Sequence, residues 1–167
     1  MITASQHTLS EVPELFDEIA QLGNRAVGDD VDHVRTSLKT RAKRGAFITL
    51  LKDGERIIGS IVTAPLAAYD TDLKVKLAVA KKGVAQRDVA LACHIYLERE
   101  FWGQGMHSRL LAERDTECPK RGFKYVLIYG AATDQLQAWC ERFPNLIELN
   151  ELDGRGHKIL LRPLETT

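Results

Sequence analysis

The 167-residue chain has few cysteines, no excess charge of either sign and no long apolar run. Cys93, Cys118 and Cys140 are an odd set without metal-ligand spacing, which argues against a disulfide framework or a zinc site and for free thiols in a reducing compartment. Lys+Arg 23 balance Asp+Glu 23, so no global field draws the chain toward nucleic acid or an anionic membrane. No apolar stretch reaches membrane-spanning length, and "MITASQHTLSEVPEL" lacks a basic segment followed by an apolar one. Internal repeats, low-complexity tracts and linkers are missing as well. These absences leave the expectation of one cytoplasmic domain over residues 1–167, with no metal and with no nucleic-acid or membrane partner.

The periodicity that is present changes along the chain. Val12, Leu15, Phe16, Ile19 and Leu22 recur at helical spacing, with Ser10 as N-cap, Pro13 in the first turn and Gly23 at the end. "DDVDHVRTSLKTRAKRG" predicts a second helix capped by Asp30 and closed by Gly45, with Arg35, Lys39, Arg41, Lys43 and Arg44 on a solvated basic face. "AFITLLKDGERIIGSIVTAPL" reads as two strands around Asp53-Gly54, a dipeptide that favours tight hairpins. Residues 67 to 87 carry a weak, basic pattern and read as a hairpin extension or long loop, bordering a binding site or an oligomer interface such as that of a homodimer. "DVALACHIYL" is a buried strand, a helix follows from about Met106 to Arg121 with Gly122 as its stop, and "YVLIYGA" is the next strand, so a parallel βαβ unit is expected. "TDQLQAWCERF" predicts a short helix ended by Pro144, and "LIELNELDGRGHKILL" an antiparallel pair. With "MITAS" as a first strand, the fold class is α/β (α+β): a mixed, mostly antiparallel sheet with a central parallel βαβ unit and flanking helices.

The segment "EREFWGQGMHSRLL" joins strand to helix through Gly103 and Gly105. Glycine lets the backbone turn sharply, and a helix N-terminus offers unpaired N–H groups with positive dipole character. Such a turn can receive an anion such as phosphate, or can simply shape a tight βα connection. The glycine pair alone admits both readings.

Element order and motif together resemble the GNAT superfamily of N-acetyltransferases across essentially the whole chain. The family's Arg/Gln-x-x-Gly-x-Gly/Ala motif, often followed by Leu-Leu, is matched by "WGQGMHSRLL" with Gly105 as the central glycine and Leu110-Leu111 as the pair. Trp102 and His107 depart from the pattern. A frame starting at Glu100 fits the glycines but misplaces the leucines. The resemblance implies acetyl-CoA as cosubstrate, with its pyrophosphate held by the backbone N–H groups of Gly103, Gln104, Gly105, Met106, His107 and Ser108, with Trp102 offering an apolar face to the ligand or core, and with its pantetheine arm lying between splayed fourth and fifth strands beside the backbone of Ile95 and Leu97. His107 either touches phosphate or sits exposed in the first helical turn; Trp102 packs in the core or at the rim.

The same resemblance implies an acid that protonates the departing CoA thiolate, commonly a tyrosine on the helix after the fifth strand. Cys140 occupies that position in "LQAWCERFPN", with Tyr129 as the alternative. For the base, His94 on the fourth strand and solvent water are the candidates, and His94 also reads as a hydrogen-bonded core histidine. The function implied is transfer of an acetyl group to a primary amine, with a small-molecule acceptor. A protein lysine or N-terminal acetyltransferase, or a non-catalytic acyl-CoA-binding domain, are the alternatives.

Overall fold

A computed structural model describes residues 1–69, 73–131, 140–153 and 155–165. The chain divides into two compact units, one of Met1–Ala64 and Ala92–Glu117, the other of Pro65–Leu91 and Cys118–Thr167.

In the first unit β1 (Ile2–Thr8) runs antiparallel to β2 (Phe47–Asp53), and β2 antiparallel to β3 (Arg56–Pro65). Phe47 to Leu51 are all buried, as a strand covered on both faces requires. Asp53 pairs with Arg56, so the hairpin loop is Gly54 and Glu55, one residue beyond the dipeptide that signalled it. Gly54 takes φ 61° at the first central position, where II′ turns place glycine.

The helices α1 (Phe16–Val27) and α2 (Val31–Ala42) pack together in this unit. The expected first helix starts later and ends later than its pattern: residues 9–11 and 13–15 form 3₁₀ turns, and α1 passes through Gly23 to a left-handed Gly28. Gly23 is no stop signal. A Cβ there would lie 2.7 Å from the Tyr96 ring, so glycine permits a close approach inside the helix. Asp30 caps α2 as expected, its Oδ1 accepting from the His33 amide at 2.7 Å. On the basic face of α2, Arg35 pairs with Asp32 and with Asp17 of α1. The helix α4 (Met106–Lys120) sends Leu110 into a cluster with Leu51, Ile58 and Ile61.

The second unit corrects the reading of residues 67–87. They form α3 (Leu73–Lys81) between two 3₁₀ turns rather than a hairpin extension or long loop. Its buried stripe is Val75, Ala78 and Val79, small residues at helical spacing among lysines, which gives little periodic signal. β4 (Val89–Leu97) begins here and pairs in parallel with β5 (Tyr125–Ala131) from Val89↔Tyr125 to Leu91↔Leu127. β6 (Ile147–Leu152) and β7 (Lys158–Pro163) are antiparallel, and β5 is antiparallel to β7. Asp153 turns the last hairpin by accepting from the amides of Arg155 and His157, bonds to its charged form that hold its carboxyl below the usual range. The hydrogen-bonded order is β1-β2-β3-β4-β5-β7-β6, a mixed seven-stranded sheet with β4 and β5 parallel. Of the helix expected at 133–143, residues 133–139 lie outside the described residues and 140–142 are helical.

Candidate functional site

The turn between β4 and α4 is anchored before it opens. The Glu98 amide donates to the Ile58 carbonyl at 2.8 Å, and its buried carboxylate accepts from Arg25 at 2.9 Å. Arg56 reaches Glu98 at 3.3 Å and Glu100 at 2.7 Å, and Arg99 donates to the Ala26 carbonyl at 3.0 Å. The Trp102 indole N–H donates to the Leu97 carbonyl at 2.8 Å while the residue stays 54% exposed. Beyond this anchor Gly103 and Gly105 adopt φ 73° and 76°, conformations that L side chains rarely hold. A Cβ at either would meet nothing within 4 Å, so the glycines answer to backbone shape, and the space beside them is open. The Arg109 amide makes an intrahelical bond to the Gly105 carbonyl at 3.0 Å. In the first turn of such a helix, the amides before it have no intrahelical acceptor and carry the positive end of the dipole.

This turn borders a cavity of about 510 Å³. Ile95, Leu97, Trp102 and Val27 supply its apolar lining; Gly103, Gly105, His107 and Ser108 complete it. The structure therefore brings together most of the residues implied for the cofactor. Gln104 and Met106 are outside that lining, where the expectation concerned their backbone amides rather than their side chains. Gln104 donates back to the Glu100 carbonyl at 2.5 Å, and Met106 packs against the Leu51, Ile58, Ile61 and Leu110 cluster. Val27 was missed by the sequence reading; its signal is an apolar residue at the end of α1, just before Gly28, that is 52% exposed.

The opposite face of β4 turns toward α1 and α2. Tyr96 is buried and donates its phenol proton to Asp29 Oδ2 at 2.6 Å. With that proton committed, the Tyr96 oxygen accepts from His94 Nδ1–H at 2.9 Å, which leaves His94 Nε2 to accept from the Ser37 hydroxyl at 2.7 Å. Burial lowers the His94 pKa, helped by Arg41 and His33 and opposed by Asp29, so the neutral imidazole this chain requires is favoured. Burial, followed by the bond to Asp29, pushes the Tyr96 phenol above its ordinary range. His94 does not line the cavity; it is placed as the bonded core histidine. Cys140 is exposed and Tyr129 is half-buried, both in the second unit. Among the described residues no group of three or more metal-ligating side chains could hold a metal ion, and no helix is long and apolar enough to cross a membrane.

No protein-family model matches the sequence, and no curated protein does. Solved structures do match. An acyl-CoA N-acyltransferase from Pseudomonas aeruginosa aligns at TM-score 0.63 with 10% identity, covering 97% of this chain and 99% of that one. The mosquito protein arylalkylamine N-acetyltransferase like 5b aligns at TM-score 0.61 with 14% identity, covering 98% and 100%. An acetyltransferase of the GNAT family from Staphylococcus aureus aligns at 0.57 with 11% identity, covering 99% and 100%. The chain has the GNAT fold. In this chain the parallel register between β4 and β5 runs from Val89↔Tyr125 to Leu91↔Leu127, and β4 continues to Leu97.

The lining fits a CoA ester. An apolar strip and the amide donors of a helix N-terminus are the two chemistries that a pantetheine arm and a pyrophosphate require, and the open space at the Gly103 and Gly105 Cβ positions leaves the main chain approachable. The residues that could hold it are Ile95, Leu97 and Trp102 for the arm, and Gly103 to Ser108 for the phosphates.

Proposed function

We propose that this protein is an acetyl-CoA-dependent N-acetyltransferase that acts on a primary amine of a small molecule. One observation carries the reading: a single cavity joins the apolar end of β4, at Ile95 and Leu97, to the glycine turn and first residues of α4. Acetyl-CoA, when bound, supplies the activated thioester. The chain's own groups bind and orient it: amides of Gly103 to Ser108 donate to phosphate, and Trp102 and Val27 shield the apolar part from water. His107 and Ser108 add side-chain donors at the same end.

Proton handling divides between solvent and the chain. Both ring nitrogens of His94 are engaged, so water takes the amine proton. The Cys140 thiol is assigned the proton for the leaving sulfur, with the Tyr129 phenol as the alternative donor. The test is thiol release across a panel of small amines, run beside mass spectrometry for retained CoA. Amine-dependent release is the expected result. Tight acetyl-CoA binding with no release from any amine or peptide would assign the chain to non-catalytic acyl-CoA binding instead.

A further inference from the structure

His94 holds a conformation that needs an explanation. Its φ is 56° in the middle of a strand, where an L residue with a bulky side chain is strained; among the described residues Asn150 is the only other non-glycine at positive φ. The residue lies three positions beyond Leu91, which pairs with Leu127 of β5, and directly before Ile95, which is 39% exposed and lines the cavity. Such a conformation persists only where the surroundings determine it.

Those surroundings are the hydrogen-bonded chain Ser37, His94, Tyr96, Asp29. It runs in one direction, each hydroxyl or ring N–H donating to the next group, and it fastens His94 at both ring nitrogens. Its Tyr96 end is closely packed. The Tyr96 ring lies against Gly23 with no room for a Cβ, and Asp29 sits in the short connection between α1 and α2. The side chain of His94 therefore ties the kinked backbone of β4 to both helices.

We infer that Ser37, His94, Tyr96 and Asp29 form a clamp that holds β4 at positive φ and so presents Ile95 and Leu97 to the acyl-CoA cavity. His94 is a positioning residue: it acts through the backbone on either side of it. The inference rests on the cavity's being the acetyl-CoA site, but the kink and the clamp belong to the protein alone, so they can be tested separately.

The clamp predicts a rescue that a purely packing role does not. Removing the hydroxyls, in Ser37→Ala/Tyr96→Phe, leaves a histidine strained at positive φ with nothing to hold it, and β4 relaxes. Adding His94→Gly to that double variant restores the kink, because glycine adopts positive φ without support. The local readouts are the amide resonance of Ile95 and the indole N–H resonance of Trp102, whose acceptor is the Leu97 carbonyl. Both should shift in the double variant and return toward the wild-type positions in the triple variant, and the acetyl-CoA dissociation constant should rise by about tenfold and then recover to within about threefold. Folding of each variant is checked by circular dichroism. Double-variant resonances that overlay those of the wild type overturn the clamp, whether or not acetyl-CoA binds. A triple variant more perturbed than the double also overturns it, since a lost packing role worsens with every deletion. If either variant fails to fold, Tyr96→Phe alone and Tyr96→Phe/His94→Gly give the same comparison. Wild-type protein that does not bind acetyl-CoA refutes the functional reading only, because the resonance arm still decides the clamp.

Discussion

The two faces of β4 are built from opposite materials. On the side toward α1 and α2, the polar groups of His94 and Tyr96 are held in bonds, and the phenol is packed on a glycine. On the cavity side, Ile95 is exposed, Trp102 shows half its surface, and the turn that follows carries two glycines with open space where a Cβ would stand. The face with the more reactive residue types is thus the closed one, and the face with the plainer residues is open. A titratable residue on a strand marks a site only when its bonding capacity is free for a ligand. Here the open backbone at Gly103 and Gly105 meets that condition and the imidazole of His94 does not.

The open face is broken most severely by Gly105→Glu. The substitution forces an L side chain to φ 76° and places a carboxylate at a helix N-terminus proposed to hold phosphate. Acetyl-CoA affinity should fall by at least about 100-fold by calorimetry while the circular dichroism spectrum stays that of the wild type. Unchanged affinity in the folded variant would remove the phosphate from this turn.

Next in size is Cys140→Ala, which asks whether the chemistry of the open side includes the thiol in the second unit. Turnover should fall by about tenfold or more with little change in acetyl-CoA affinity, as expected when an acid used only in the transition state is removed. Tyr129→Phe is the matched control. A large loss of turnover there, with Cys140→Ala fully active, moves the acid to β5.

Much of this comparison was legible in the sequence, and the residues show where legibility ends. The strand, turn and helix from Val89 to Lys120 follow from local period and glycine spacing, as do the Asp30 cap and the final hairpin. Period two puts His94 and Tyr96 on one face of β4. It could not say what lay across from that face, because Ser37 and Asp29 are 57 and 65 residues away in the chain (94 − 37 and 94 − 29). Gly23 was misread as a stop for the same reason: its cause is the distant Tyr96 ring. The helix α3 was hidden by the small size of its buried residues, and the side-chain partners of Gln104 and Met106, the Glu100 carbonyl and the core, follow from helix-start geometry that the motif does not encode.

The closed face is tested by smaller effects. Gly23→Ala gains about 0.8–1.0 kcal/mol of helix propensity but sets a methyl 2.7, 2.8 and 3.1 Å from Tyr96 ring atoms. Overpacking costs typically about 1–3 kcal/mol, so a net loss of stability is expected in urea unfolding. A stabilised variant would show that the close approach is not what keeps glycine there.

The smallest effect is a pH dependence. The folded-state pKa of His94 is lowered, so the folded protein binds fewer protons than the unfolded chain wherever the two titrate differently. The stability that His94 contributes is complete above the unfolded value of about 6.5 and is lost as pH falls through the lower folded value. Between these values wild-type unfolding free energy should fall with pH more steeply than that of His94→Asn, by less than about 1.4 kcal/mol per pH unit. Parallel pH profiles for the two proteins would mean that His94 is not held neutral by its surroundings.

The central claim is that the cavity at the start of α4 is where acetyl-CoA sits, and titration of ¹⁵N-labelled protein tests it most directly. Adding acetyl-CoA should move the amide resonances of Ile95, Gly103, Gly105, His107 and Ser108 and the indole resonance of Trp102, and leave those of the Asp53–Arg56 hairpin and α2 in place. Shifts clustered away from the β4–α4 turn, or no shifts at millimolar acetyl-CoA, would contradict it.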